Sequence, residues 1–257
     1  MSNFTSWDAY QIFERKVLKS SRFIFDERTQ FFLDTVIATA KNRTKSIKKD
    51  SILWRAQNGH DYRPLEIQGE EDSIEIPAPF LPERMYPFKD KASEGRVNPK
   101  GIPSLYLSTD YKTCMAELRP WKHSLISVGE FRMNRELKII DCSINHKKPI
   151  YFLDPPQDQN SINNAVWSHI DHAFSIPVQR DEFEARYAPT QIISELFKQE
   201  GFDGIMYKSH LEEGHNVALF DFDDATIVRC NLYNLKNVNY EFDFVGGTYK
   251  ARRIKNK

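Results

Sequence analysis

Three charged side chains stand where a solvated surface alone does not explain them. Arg55 directly follows the apolar run Ile52-Leu53-Trp54, Arg96 sits in the turn-like Gly95-Arg96-Val97-Asn98, and Glu117 falls on a short helical stretch. Arginine presents a planar fork of donors that matches phosphate oxygens, so one at a strand end and one in a glycine turn suit a pyrophosphate. Read singly, each arginine is more often a surface ion-pair residue. Glu117 borders the apolar face Tyr111, Cys114, Met115 and Leu118 of a helix predicted over 110–118, where a solvated flank is the plainer role. Tyr106 lies mid-strand with Leu105 and Leu107 on the opposite face, and it either packs in a second layer or stacks on a ligand ring.

Other chemistries find less support. His169 and His172 stand three apart and could share a helix face for a metal, but no third ligand follows at a metal-binding spacing, so no metal is expected. Cys114 lies on an apolar helix face without an evident base, and His210 and His215 flank a loop, which gives no nucleophile–base pair. Neither GxGxxG nor GxxxxGK[ST] occurs, which removes a Rossmann site and a P-loop as routes to a nucleotide.

The elements that must position these residues are partly readable. Trp7, Tyr10, Phe13, Val17 and Leu18, and then Phe32, Val36, Ile37 and Ala40, recur at helical spacing and predict two N-terminal helices. The basic stretch from Lys41 to Lys49, with no acid before Asp50, reads as a solvated linker or a phosphate-facing patch. Residues 58–102 are rich in Pro, Gly and charge, and are expected to be a functional or partly disordered loop. Strands are predicted at 104–108, 126–133 and 137–141, with Pro120 stopping the helix that follows the first of them. Thr190 is expected to cap a helix whose apolar face is Ile192, Ile193, Leu196 and Phe197, with Gly201 in the left-handed position after it. Core strands follow at 205–207, 216–220 and 225–230, in a mixed or antiparallel sheet.

Bulk properties narrow the class further. A chain of 257 residues with 40% hydrophobic content can bury a real core. Thirty-six basic and 36 acidic residues cancel, so no global field draws the protein to nucleic acid or to an acidic membrane. Cys114, Cys142 and Cys230 are odd in number and widely spaced, as suits a reducing cytoplasm, and no apolar run has the length of a membrane span. The expectation is a cytoplasmic protein.

The order of short blocks says more than any residue alone. Leu53-Trp54-Arg55, Gly95-Arg96-Val97-Asn98, Leu105-Tyr106-Leu107-Ser108, Glu117, and then 201–209 followed by 216–220, resemble the RES domain over roughly residues 50 to 231. The resemblance implies an α+β fold related to ADP-ribosyltransferases, with a mixed or antiparallel sheet core, flanking helices and a preceding helical segment. It implies domains at 1–50 (helical segment), 51–235 (RES domain) and 236–257 (extension). It further implies an NAD+-degrading toxin of a toxin–antitoxin pair, a glycohydrolase or phosphorylase, with NAD+ as substrate and a cognate antitoxin as partner. Carried over, Arg55 and Arg96 would hold the pyrophosphate, Tyr106 would pack on the nicotinamide or its ribose, and Ser209 would bond the ribose region. Asn216 joins that binding set, and Glu117 would be the catalytic carboxylate, acting with Arg55 and Tyr106. A partner antitoxin would cover the Arg55, Arg96 and Glu117 cleft.

Two departures stand out: Ala56 follows Arg55 where many members carry an aromatic residue, and the stretch from Arg55 to Gly95 is long. The N-terminal helices could shield the site, form a homo-oligomer or serve a partner. A protein mono-ADP-ribosyltransferase is the alternative within the resemblance. A binding module without activity is the alternative outside it, disfavoured by the retained Arg, Tyr, Glu and Ser positions.

Overall fold

A computed structural model describes residues 3–66, 73–88, 91–146, 154–176, 186–239 and 241–247. Parts of the long 58–102 segment (67–72 and 89–90) and of the C-terminal extension (240 and 248–257) lie outside these described residues. The expected class, α+β, is the observed one. Ten strands are described: β1 (Thr44–Ile47), β2 (Ile52–Asn58), β3 (Asp61–Glu66), β4 (Ser73–Ala78), β5 (Leu105–Ser108), β6 (Leu125–Met133), β7 (Leu137–Asp141), β8 (Gly204–Lys208), β9 (His215–Leu219) and β10 (Ala225–Asn234). Eight of them form one sheet in the order β1-β7-β8-β9-β5-β2-β6-β10. Among the described strands only the β7–β8 pairing is parallel, so the sheet is mixed.

The helices are α1 (Ala9–Lys19), α2 (Glu27–Ala40), α3 (Tyr111–Ala116), α4 (Gln159–Ser175) and α5 (Ala188–Gln199). The two N-terminal helices form where the apolar spacing predicts them, and Asp26 caps α2 by accepting from the Thr29 amide at 2.9 Å. Phe13, Phe32, Val36 and Ala40 share one core with Trp167, Ile170 and Phe174 of α4, Ile193 and Phe197 of α5, and Ile140, Ile205 and Ala218 of the sheet. Residues 1–50 therefore supply part of the main core and, through β1, an edge of the main sheet.

Three local expectations need correction. The basic stretch 41–49 is no linker: β1 pairs antiparallel with β7, and Arg43, 5% exposed, lies over the Trp167 ring at 4.4 Å and donates to the Ile144 carbonyl at 2.9 Å. Lys45, the lysine within β1, charges this edge strand, a common guard against edge-to-edge pairing. The 58–102 segment holds the β3–β4 hairpin and buries Phe80, Met85 and Val97, so its polar composition conceals a few anchoring apolar residues. Thr190 does not cap α5. The helix starts earlier, at Ala188 with Pro189 in its first turn, and the Thr190 hydroxyl donates to the Tyr187 carbonyl at 3.0 Å. Gly201, at φ +79°, takes the left-handed conformation expected after that helix.

Candidate active site

Strands β2 and β5 meet at a single residue pair, Trp54 with Ser108, whereas β2 pairs with β6 along its whole length. At this weak seam in the sheet lies a cavity of about 360 Å³, lined by Arg55, Arg96, Tyr106, Glu117, Tyr207 and Asn216, among others. These six residues, from six parts of the chain, thus converge on one opening. Its size lies at the low end of small-molecule pockets, which commonly span roughly 300–1,000 Å³.

Arg55 leaves β2 into this cavity. Its Nη1 reaches the Tyr106 carbonyl at 3.5 Å, and its buried Nε has no hydrogen-bond partner. Burial depresses its pKa from the ordinary arginine value, although guanidinium remains charged at any physiological pH. A buried donor left unsatisfied is costly, which marks a place where an anionic oxygen would be stabilised.

Arg96 is placed differently. Its Nη1 donates to the Phe174 carbonyl of α4 at 2.6 Å, and its guanidinium lies 5.6 Å from the centre of the Tyr207 ring. The turn that carries it is closed by Gly95 N–H to the Asn98 carbonyl at 2.9 Å. Tyr106 holds the same turn, its hydroxyl donating to Asn98 Oδ1 at 2.7 Å and accepting from the Val97 amide at 3.0 Å. A Cβ on Gly95 would stand 2.4 Å from that hydroxyl, so only glycine fits. The Tyr106 ring borders the cavity while its hydroxyl is committed to the turn.

Glu117 caps the C-terminal end of α3, a helix shorter than the predicted 110–118. Tyr111, expected on the apolar face, is 40% exposed and stacks on Tyr233; Cys114 alone is fully buried there. At the other end Asp110 accepts from the Thr113 amide at 2.9 Å. Gly214 packs so tightly against Asp110 and Thr113 that a Cβ would overlap both, which pins the β8–β9 loop to α3. That loop brings Ser209 to Glu117: its hydroxyl donates to Glu117 Oε1 at 2.8 Å, and Asn216 Nδ2 donates to the same oxygen at 2.6 Å. Ser108 Oγ in turn donates to Asn216 Oδ1 at 2.9 Å, fixing the amide's orientation.

All six residues singled out for binding or catalysis are therefore brought together, with one difference of role. Ser209 is 3% exposed, is absent from the cavity wall, and accepts from the Leu211 and Glu212 amides at 3.2 Å each. It touches the carboxylate, where the resemblance implied contact with a ribose. Tyr207 and Tyr187 line the cavity without having been singled out. The apolar run 205–207 read as core strand, and the two-residue alternation of a strand, which puts Tyr207 with Ile205 and opposite Met206, was the available signal for its side. Burial, moderated by Arg96, pushes the Tyr207 phenol up to about 12. Cys114 also borders the cavity, but burial and then Asp110 push its thiol up to about 12, so it stays protonated at neutral pH. His169 is buried on α4, and no cluster of three metal-ligating side chains occurs among the described residues.

The RES domain family model matches residues 52–243, and the chain belongs to the RES domain family. No curated protein matches it. Among solved structures it is similar to a chain in the crystal structure of the M. tuberculosis MbcT–MbcA toxin–antitoxin complex, at 13% identity and a TM-score of 0.38, over 78% of this chain and 92% of that one. So remote a likeness carries no argument about chemistry.

Proposed function

We propose that this protein is the toxin of a toxin–antitoxin pair and that it breaks the nicotinamide–ribose bond of NAD+. The reading is supported above all by one juxtaposition. A carboxylate held at 2.8 and 2.6 Å by Ser209 and Asn216 shares a cavity wall with two arginines, one of which has an unsatisfied buried Nε. In this reading Arg55 and Arg96 take the pyrophosphate and the Tyr106 and Tyr207 rings flank the nicotinamide riboside end.

Cleavage sends the C1′–N electron pair to the pyridinium nitrogen, so nicotinamide departs neutral and positive charge grows on the ribose. Glu117 stabilises that oxocarbenium character electrostatically. Because Oε1 is engaged by two donors, Oε2 is assigned the side facing the ribose. Water or phosphate then attacks C1′ and releases its proton. A leaving group that needs no protonation makes positioning and charge the main contributions, which this set of side chains can supply. A cognate antitoxin is assigned to the same cleft, where an acidic segment would meet the two arginines.

The test is nicotinamide release from NAD+ by the purified chain beside Glu117→Gln. A loss of several orders of magnitude in the variant supports the reading. Negligible release by both proteins sinks it, and label found on a protein target rather than as free ADP-ribose or its phosphate would replace it with protein ADP-ribosylation.

A further inference from the structure

The cavity's phosphate-facing side depends on a turn with little support of its own. Residues 93–102 form neither helix nor strand and bring Glu94, Gly95 and Arg96 to the cavity wall, yet Asn98 is 3% exposed and its side chain is fully committed. Its Nδ2 donates to the carbonyls of Ser93 at 3.0 Å, Pro99 at 3.2 Å and Ile102 at 2.7 Å. These bonds shape the turn but do not fasten it to the body of the protein. Its fastenings to the body are Val97, buried in the main core, the Tyr106 hydroxyl of β5, the bonds of Arg96 to the Phe174 carbonyl of α4 and to Tyr187, and one side chain of α5. That side chain is Gln191, whose Nε2 donates to the Gly95 carbonyl at 2.9 Å and to the Asn98 carbonyl at 3.1 Å.

The two carbonyls bridged by Gln191 bracket Arg96 and Val97. One amide group therefore holds both ends of the segment that aims Arg96, from the first turn of the helix that also begins beside Tyr187 on the cavity wall. We infer that Gln191 is a positioning residue for substrate: it sets the Gly95–Asn98 turn so that Arg96 meets the anionic part of the substrate, and it contributes to affinity without touching the reacting atoms. The inference rests on the NAD+ reading of the same site.

The chemistry of the contact explains why glutamine suits it. Two carbonyl oxygens facing one group need a two-hydrogen donor, which a primary amide provides and a carboxylate, hydroxyl or thioether does not. Lysine would donate too, but it would add a positive charge beside Arg96. Losing the amide frees the turn, and Arg96 then reaches the substrate only in a fraction of conformers. Apparent affinity falls by that fraction while the bound complex reacts as before.

The measurement is steady-state NAD+ cleavage by four full-length proteins: wild type, Gln191→Met, Arg96→Ala and the double variant. Methionine keeps the length and removes the donors, and thermal midpoints check that each protein is folded. Gln191→Met is expected to raise KM roughly tenfold with kcat little changed, the loss of about two neutral hydrogen bonds. In the Arg96→Ala background it should add nothing further, because the turn then has no guanidinium to aim. Gln191→Ala, which also shortens the side chain, should behave in the same way and serves if the methionine variant does not fold. An unchanged KM, or the same KM increase with and without Arg96, overturns the inference while leaving the NAD+ reading standing. A wild-type chain that neither cleaves NAD+ nor binds it by calorimetry overturns both.

Discussion

Ser209→Ala separates two accounts of the site. The Ser209 hydroxyl donates to Glu117 Oε1 at 2.8 Å from a buried position behind the carboxylate, away from the cavity wall. A hydrogen bond to a charged group contributes about 1.5–3 kcal/mol. With each 1.36 kcal/mol worth a factor of ten in rate, its loss lowers kcat by roughly 10- to 150-fold if Glu117 acts in the transition state. Asn216 Nδ2, at 2.6 Å from the same oxygen, keeps the residual rate above that of a Glu117 variant. The Leu211 and Glu212 amides lose their acceptor as well, so the β8–β9 loop loosens. KM should hardly move, since the hydroxyl does not line the cavity. The assay is nicotinamide release across an NAD+ titration, with the thermal midpoint as the check on folding. Because both donors act on one oxygen, adding Asn216→Ala should cost less than the product of the two single effects predicts. A tenfold rise in KM at unchanged kcat would refute this reasoning and return Ser209 to the ribose contact that the family resemblance implies.

Gly95→Ala should behave as a binding variant: a Cβ 2.4 Å from the Tyr106 hydroxyl must push the turn aside, so KM for NAD+ rises, and because Val97 of the same turn lies in the main core the thermal midpoint falls as well. Stability should fall in mild acid. Burial holds His172 and His215 below the usual histidine pKa, with His210 and His146 adding to the effect on His172 and Lys208 to that on His215. The unfolded chain takes up those protons more readily, so their contribution is complete above about pH 6.5 and is lost as the pH drops through that value towards the folded-state pKa values. Thermal midpoints measured from pH 7 to pH 5 should show a slope that His172→Asn combined with His215→Asn makes shallower; an unaltered slope would contradict the assignment.

Much of the architecture could be read along the chain because it depends on neighbours. Apolar spacing marked α1 and α2, alternation marked β5, and Gly201 marked the end of α5, since each reflects contacts or dihedral preferences within a few residues. The basic stretch 41–49 misled for the opposite reason. Its place as an edge strand depends on pairing with β7, nearly a hundred residues later, and local composition contains no record of that partner. The β3–β4 hairpin was hidden likewise, its strands being mostly exposed and so lacking an apolar signature.

For the site, residue types read singly did not suffice; the ordered blocks and their resemblance to the RES domain brought out Arg55, Arg96, Tyr106, Glu117, Ser209 and Asn216. What each one touches came only from the folded chain. Ser209 meets Glu117 across 92 positions, Asn216 meets it across 99, and Gln191 reaches Gly95 across 96. A glutamine in the first turn of an amphipathic helix looks like any solvated residue until the turn it holds is packed beside it. Sequence by itself determined which functional groups are present and in what order. Only the tertiary structure decided which of them line the cavity and which hold those that do, because that division is set by contacts between segments far apart in the chain.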